Sequence, residues 1–128
     1  MNNLSQLYRD IEIDTEVMAA SPHRLIQMMI NKCLQQVQLA KLFILNKDVK
    51  QKQRVIANAN AIVDYLRLCL NVEDEKSKAL ALQLDSLYNF LEKSLIYASL
   101  EHNVEYLDMA CLVLSNIKEG WDGIESKV

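Results

Sequence analysis

Residues 20–45 read ASPHRLIQMMINKCLQQVQLAKLFIL, and the fold class follows from them. Ser21 is a good N-cap, because its hydroxyl accepts a backbone N–H that the first helical turn leaves without a partner. Pro22, the only proline in the chain, loses no helical hydrogen bond at the first position and arrives with its φ already set. From there Ile26, Ile30, Cys33, Val37, Ala40 and Ile44 recur at steps of four and three residues, which is one face of a continuous helix.

Working outward, Asn46-Lys47-Asp48 reads as a tight corner, with Asp48 placed to cap a second helix. That helix carries Val55, Ala59, Ile62, Leu66 and Cys69 on one face, with Ile56, Val63 and Leu70 beside them, and it fades near Asn71. Glu73, Asp74 and Glu75 then supply negative charge where a helix N-terminus is positive. The third helix shows Leu80, Leu84, Leu87, Leu91, Leu95 and Ala98, and His102-Asn103 ends it. The fourth shows Leu107, Cys111, Leu114, Ile117 and Trp121, with Gly120 and Gly123 at its close. Four amphipathic helices joined by short connections predict an all-α, antiparallel up-down four-helix bundle over residues 21–123. A helix of about 24 residues spans roughly 36 Å, so the bundle is expected to be elongated.

Residues 1–20 differ. Leu4, Leu7, Tyr8 and Ile11 follow helical spacing, but so short a helix is marginal in water unless it packs on something. Ile11, Ile13, Thr15 and Val17 alternate with more polar residues, as an extended stretch does. The expectation is a single domain, 1–128, whose first twenty residues form a mobile helical cap segment.

Composition narrows the function. With 128 residues, two glycines and one proline, the chain is poor in turn formers and long enough to bury a core without metal or disulfide. Fourteen basic and seventeen acidic residues leave a net charge of −3, which offers no general attraction to nucleic acid. The basic concentration at Lys41, Lys47, Lys50, Lys52 and Arg54 reads as a solvated corner between helices. Cys33, Cys69 and Cys111 form no CxxC pattern and read as buried thiols in a reducing compartment. No leader-like segment and no membrane-spanning run stands out, so a cytoplasmic protein is expected, with no membrane insertion.

Chemistry is sparse. His23 and His102 lack partners at metal-ligand spacing, because Ala20 and Ser99 occupy the positions where Glu-x-x-His would need acids. A phosphotransfer histidine at His102 would sit in Leu100-Glu101-His102-Asn103-Val104, without the small and basic residues such sites use. Glycines at 120 and 123 alone cannot form a phosphate loop. No enzyme activity, cofactor or metal is expected. Apolar residues, by contrast, exceed what a core-facing helix needs. Leu25, Met28, Met29, Leu34, Leu39, Leu42 and Phe43 lie off the first stripe, and Leu82, Tyr88, Phe90, Ile96, Tyr97 and Leu100 off the third. A wide core, a groove for a partner and self-association as a homodimer all account for this surplus, and periodicity does not choose among them.

Several short motifs occur in an order that resembles one family. Ala20-Ser21-Pro22 before an apolar helix is similar to the signature opening the main helix of the flagellar secretion chaperones (FliS). Ile62-Val63-Asp64-Tyr65-Leu66, Leu68-Cys69-Leu70-Asn71 and Leu87-Tyr88-Asn89-Phe90-Leu91 look like later segments of that family. Gly120-Trp121 stands in place of a closing Ala-Trp, and Tyr8 in place of an N-terminal tyrosine. Departures occur at Ile30-Asn31-Lys32, where relatives often carry an aromatic, an acid and a glycine, and at Glu75-Lys76-Ser77-Lys78, where small residues are usual. The resemblance implies a cytoplasmic chaperone that binds the disordered C-terminal region of flagellin, prevents its premature polymerisation and brings it to a component of the flagellar type III export gate. It also implies an N-terminal segment able to fold over the client groove. With the apolar surplus, this makes Met28, Met29, Tyr65 and Tyr88 the expected partner-binding residues, and Leu4, Leu7, Tyr8 and Ile11 the cap. The alternative is a helical adaptor or regulator that takes another client in the same groove.

Overall fold

The computed structural model describes residues 21–70, 75 and 77–123. The cap residues Leu4, Leu7, Tyr8 and Ile11 therefore lie outside the described residues. Those described form four helices: α1 (Pro22–Leu45), α2 (Val49–Leu68), α3 (Lys78–Glu101) and α4 (Val104–Gly123). The expected caps form. Arg24 N–H donates to Ser21 Oγ at 3.1 Å, and Gln51 N–H donates to Asp48 Oδ1 at 3.2 Å; such a cap contributes about 1 kcal/mol. At the C-terminal ends of α1 and α3 the backbone turns left-handed, at Lys47 (φ 60°) and His102 (φ 51°). The next N–H reaches back to a carbonyl five residues earlier, Asp48 to Phe43 at 2.9 Å and Asn103 to Ala98 at 3.3 Å. These are the bonds that close a helix around a residue that is most often glycine.

The helices pack in a ring, α1 on α2, α2 on α3, α3 on α4 and α4 back on α1. Side-chain bonds fix the antiparallel sense. Lys52, early in α2, reaches the end of α3 through Ser99 O at 2.8 Å. Arg67, at the end of α2, pairs with Asp85 near the start of α3 at 2.9 Å. Gln27, in the first turns of α1, donates to Asp122 at the end of α4 at 2.7 Å, and Lys41 at the other end pairs with Asp108 at 2.6 Å.

The core follows the sequence stripes through the middle of every helix. Ile30, Cys33, Val37 and Ala40 of α1 meet Val55, Ala59 and Ile62 of α2, Leu91, Leu95 and Ala98 of α3, and Leu107, Ala110 and Leu114 of α4, all with no exposed surface. Three expectations change. The third stripe is not buried along its length: Leu80 is 59% exposed and Leu87 40%. The three thiols are not alike either, since Cys33 is buried, Cys111 half-buried and Cys69 exposed, because α2 stops at Leu68 and leaves Cys69 as its cap. Finally, Lys52 does not join a solvated basic corner but is 1% exposed. Its amine is kept by Ser99 O and, at 2.9 Å, by His102 Nδ1, as a buried donor requires.

Candidate functional site

The start of α1, the end of α2, the start of α3 and the end of α4 share one end of the bundle, and an apolar depression lies there. A hollow of about 340 Å³ lies between the first half of α3 and the last turns of α4, lined by Leu80, Leu84, Leu87, Ile117, Gly120 and Trp121, with Asn116 as its polar member. A second hollow of about 210 Å³ shares Leu80, Leu84 and Trp121 with it and continues over Ile26, Leu66, Cys69, Leu70 and Tyr88. Together they make one apolar groove across this end.

The groove is open because of what α4 presents. Asn116 and Gly120 are four residues apart and so share a helix face. Both lie opposite the leucines of α3, where a closed seam would need large apolar side chains. A Cβ added at Gly120 would meet nothing within 4 Å. The helix therefore carries a glycine that its own packing does not require, although glycine inside a helix is destabilising relative to alanine.

Trp121 holds the groove together. Its ring packs on His23, with centroids 4.9 Å apart at 51°. The turn that bears it is anchored by Asp122, whose carboxylate accepts from Lys118 Nζ at 2.7 Å and from Gln27 Nε2 at 2.7 Å. Lys118, then Gln27, holds the Asp122 carboxyl below the usual carboxylate range. His23 is 7% exposed, and among the described residues neither ring nitrogen has a hydrogen-bond partner, so its visible contact here is the ring packing on the tryptophan.

Nothing in the lining is reactive. Burial pushes the Cys69 thiol up, against a hydrogen bond with Tyr65 that pulls it down. Burial also pushes the Tyr88 hydroxyl up to about 12, as it does the Cys33 thiol, which donates to Ala59 O at 3.7 Å. These groups stay neutral and non-nucleophilic near neutral pH. Beside the groove, Arg67 bridges Asp85 and, at 3.3 Å, Glu92. Burial first, and the Asp64 carboxyl second, push Glu92 up to about 7. Among the described residues no cluster of three metal-ligating side chains occurs, and no helix is long and apolar enough to cross a membrane. What this end can do is remove apolar side chains of another chain from water, at about 25 cal/mol per Å².

Of the partner-binding residues expected from sequence, Met29 (0% exposed) and Tyr88 (2%) are interior. Met29 lies between the packed faces of the ring. Tyr88 is equally deep and lines the second hollow from within. Met28 and Tyr65 are half-buried against the core, where they keep some surface. Sequence reasoning missed Leu80, Leu84, Leu87 and Trp121, which had been assigned to core stripes. The available signal was the Asn116–Gly120 pair on the facing helix.

Comparison with known proteins supplies the remaining context. The model of the family described as Flagellar protein FliS matches residues 3–128. The chain is 32% identical over 117 residues to a Pseudomonas aeruginosa protein named flagellar secretion chaperone FliSB, covering 91% of each. It is 31% identical over 120 residues to the flagellar secretion chaperone FliS of Salmonella typhimurium, covering 94% of this chain and 88% of that one. With the flagellar secretion chaperone FliS of Vibrio cholerae it shares 28% identity over 124 residues, 97% of this chain and 90% of the relative.

Proposed function

The chain belongs to the flagellar protein FliS family, and on that premise we propose that it is a cytoplasmic export chaperone for flagellin. It binds the disordered C-terminal segment of flagellin, keeps that segment from polymerising early, and delivers it to the flagellar type III export apparatus. The observation that carries this reading is the groove of Leu80, Leu84, Leu87, Ile117 and Trp121, a contiguous and almost wholly apolar surface at one end of the bundle. Exposed contiguous apolar surface marks an interaction site. Ordering a disordered client costs several kcal/mol of the gross contact energy, so a client must bury a long apolar face to remain bound. Leu80, Leu84 and Leu87 present one such face along two turns of α3. Met28 and Tyr65, half-buried at the margin of the core, extend the contact.

Residues 2–12 enter this reading as a cover, with Leu4, Leu7, Tyr8 and Ile11 lying over the groove until a client displaces them. A chain lacking those residues keeps its fold and binds flagellin as tightly as the full chain, or more tightly. A deletion that unfolds the bundle removes the cover from the proposal.

The reading is tested by calorimetric titration of the full chain with a flagellin C-terminal segment. The expected result is a complex with a strongly negative heat-capacity change, the signature of apolar burial, and a loss of affinity when Leu84 is replaced by glutamate. Flagellin shortened by its C-terminal tail is expected not to bind. Equal binding with and without the tail would overturn the proposal in favour of a different client or surface.

A further inference from the structure

The opposite end of the bundle holds a third hollow, of about 340 Å³, lined by Phe43, Ile44, Lys47, Val49, Lys52 and His102. Its chemistry differs from that of the Trp121 groove. One wall is apolar, from Phe43, Ile44 and Val49; the rest is built from two lysines and a histidine, and no carboxylate lines it. Lys52 is a buried ammonium fixed in place by Ser99 O and His102 Nδ1. With the Lys52 amine donating to Nδ1, the other ring nitrogen of His102, Nε2, is left for another partner. Lys47 makes no ion pair among the described residues. The nearest acid in sequence, Asp48, is already engaged as the cap of α2.

The backbone points the same way. Lys47 and His102 are the two non-glycine residues with positive φ among those described, and both line this hollow. Glycine takes up that conformation without the Cβ penalty. A lysine and a histidine stand instead at the two helix ends that meet here, so both helix-closing residues bring a nitrogen-bearing side chain to this hollow. Around them the same end exposes Leu42, Leu45, Val49 and Leu100, at 47–72%. This footprint is wider than the hollow, which favours a protein partner over a small molecule.

We propose that this end is a second docking site, which receives an acidic side chain of a partner protein, flanked by apolar residues, between Lys47 and His102. The carboxylate accepts from the Lys47 ammonium and the His102 Nε2–H, and the flanking apolar side chains cover Phe43, Ile44 and Val49. The site lies about 30 Å from the Trp121 groove, the length of a twenty-residue helix, so a client and a second partner are held at once. The proposal does not depend on which client the first groove takes.

The test uses the full chain, isotopically labelled, and two acetylated and amidated peptides of equal length, one of leucine and glutamate and the other of leucine and lysine. The leucine–glutamate peptide is expected to shift the backbone amides of Lys47, Val49 and His102, and the leucine–lysine peptide to leave them unmoved. Lys47→Gly relieves the left-handed backbone, so its melting temperature is expected to hold or rise, while affinity read at those amides falls about fivefold. Lys47→Arg restores the affinity. Equal response to the two peptides, no response at those amides, or a Lys47→Gly chain that binds as well as the parent would overturn the proposal.

Discussion

The two halves of α3 carry the same kind of residue at the same spacing and meet opposite fates. In the C-terminal half, Leu91, Leu95 and Ala98 have no exposed surface. In the N-terminal half, Leu80 and Leu87 are 59% and 40% exposed, and Leu84 sits between those states. The difference lies in the facing helix. In its first half α4 gives the core Leu107, Ala110 and Leu114; toward the open half of α3 it sets Asn116 and Gly120 beside Ile117 and Trp121, so large apolar cover there is incomplete. A helical stripe is an offer of burial, and the neighbouring helix accepts or declines it.

The comparison is most sharply broken by truncation. Leu95→Ala should cost about 3 kcal/mol of stability, because it removes buried methyl groups and leaves a cavity. Leu80→Ala, the same chemical change in the open half, should cost under about 1 kcal/mol. Chemical denaturation of the two variants measures the contrast, and equal losses would mean that both halves are core.

Next in size is a pH effect at the middle of the helix. Glu92 is pushed up to about 7 from its ordinary 4.5, so the folded chain holds a proton that the unfolded chain has released. That contribution to stability is fully present below about pH 4.5 and is lost as pH rises through about 7. With the side chain 21% exposed, roughly 1–2 kcal/mol is expected after solvent screening. Glu92→Gln should flatten this part of the stability profile between pH 4.5 and 8, measured by denaturation across that range. A parallel pair of profiles would show that Glu92 does not hold the proton.

In the open half the larger effect should be on binding. Leu80→Ala and Leu87→Ala are each expected to weaken a flagellin C-terminal segment about tenfold, roughly the transfer energy of one half-buried leucine, while Leu100→Ala at the far end leaves it unchanged. The smallest effect is expected at Gly120. Gly120→Ala should raise stability by about 0.5 kcal/mol, since alanine gains helix propensity and meets no clash; thermal melting measures it. A destabilised Gly120→Ala would mean that the glycine is needed by the fold after all.

Much of this architecture was legible from particular residues. Ser21-Pro22 marked the start of α1, and the Ile30–Cys33–Val37–Ala40 stripe marked its buried face, because capping and helical period are local properties. Asp48 was read as a cap for the same reason. Lys52 was misread: in sequence it belongs to a basic run, and only the approach of Ser99 and His102 from another helix gives its amine partners. Met29 and Tyr88, expected at a partner surface, lie in the interior. A flexible thioether and an amphipathic ring suit either a core or a groove, and nothing local distinguishes the two.

By itself, the amino-acid sequence determined the four helices, the starts of α1 and α2, the all-α class and the excess of apolar side chains, because each depends on neighbours within a few residues along the chain. Only the tertiary structure decided which of those side chains stay uncovered. Exposure is a property of pairs of helices: Leu84 and Leu91 differ little in local sequence and greatly in what α4 sets against them.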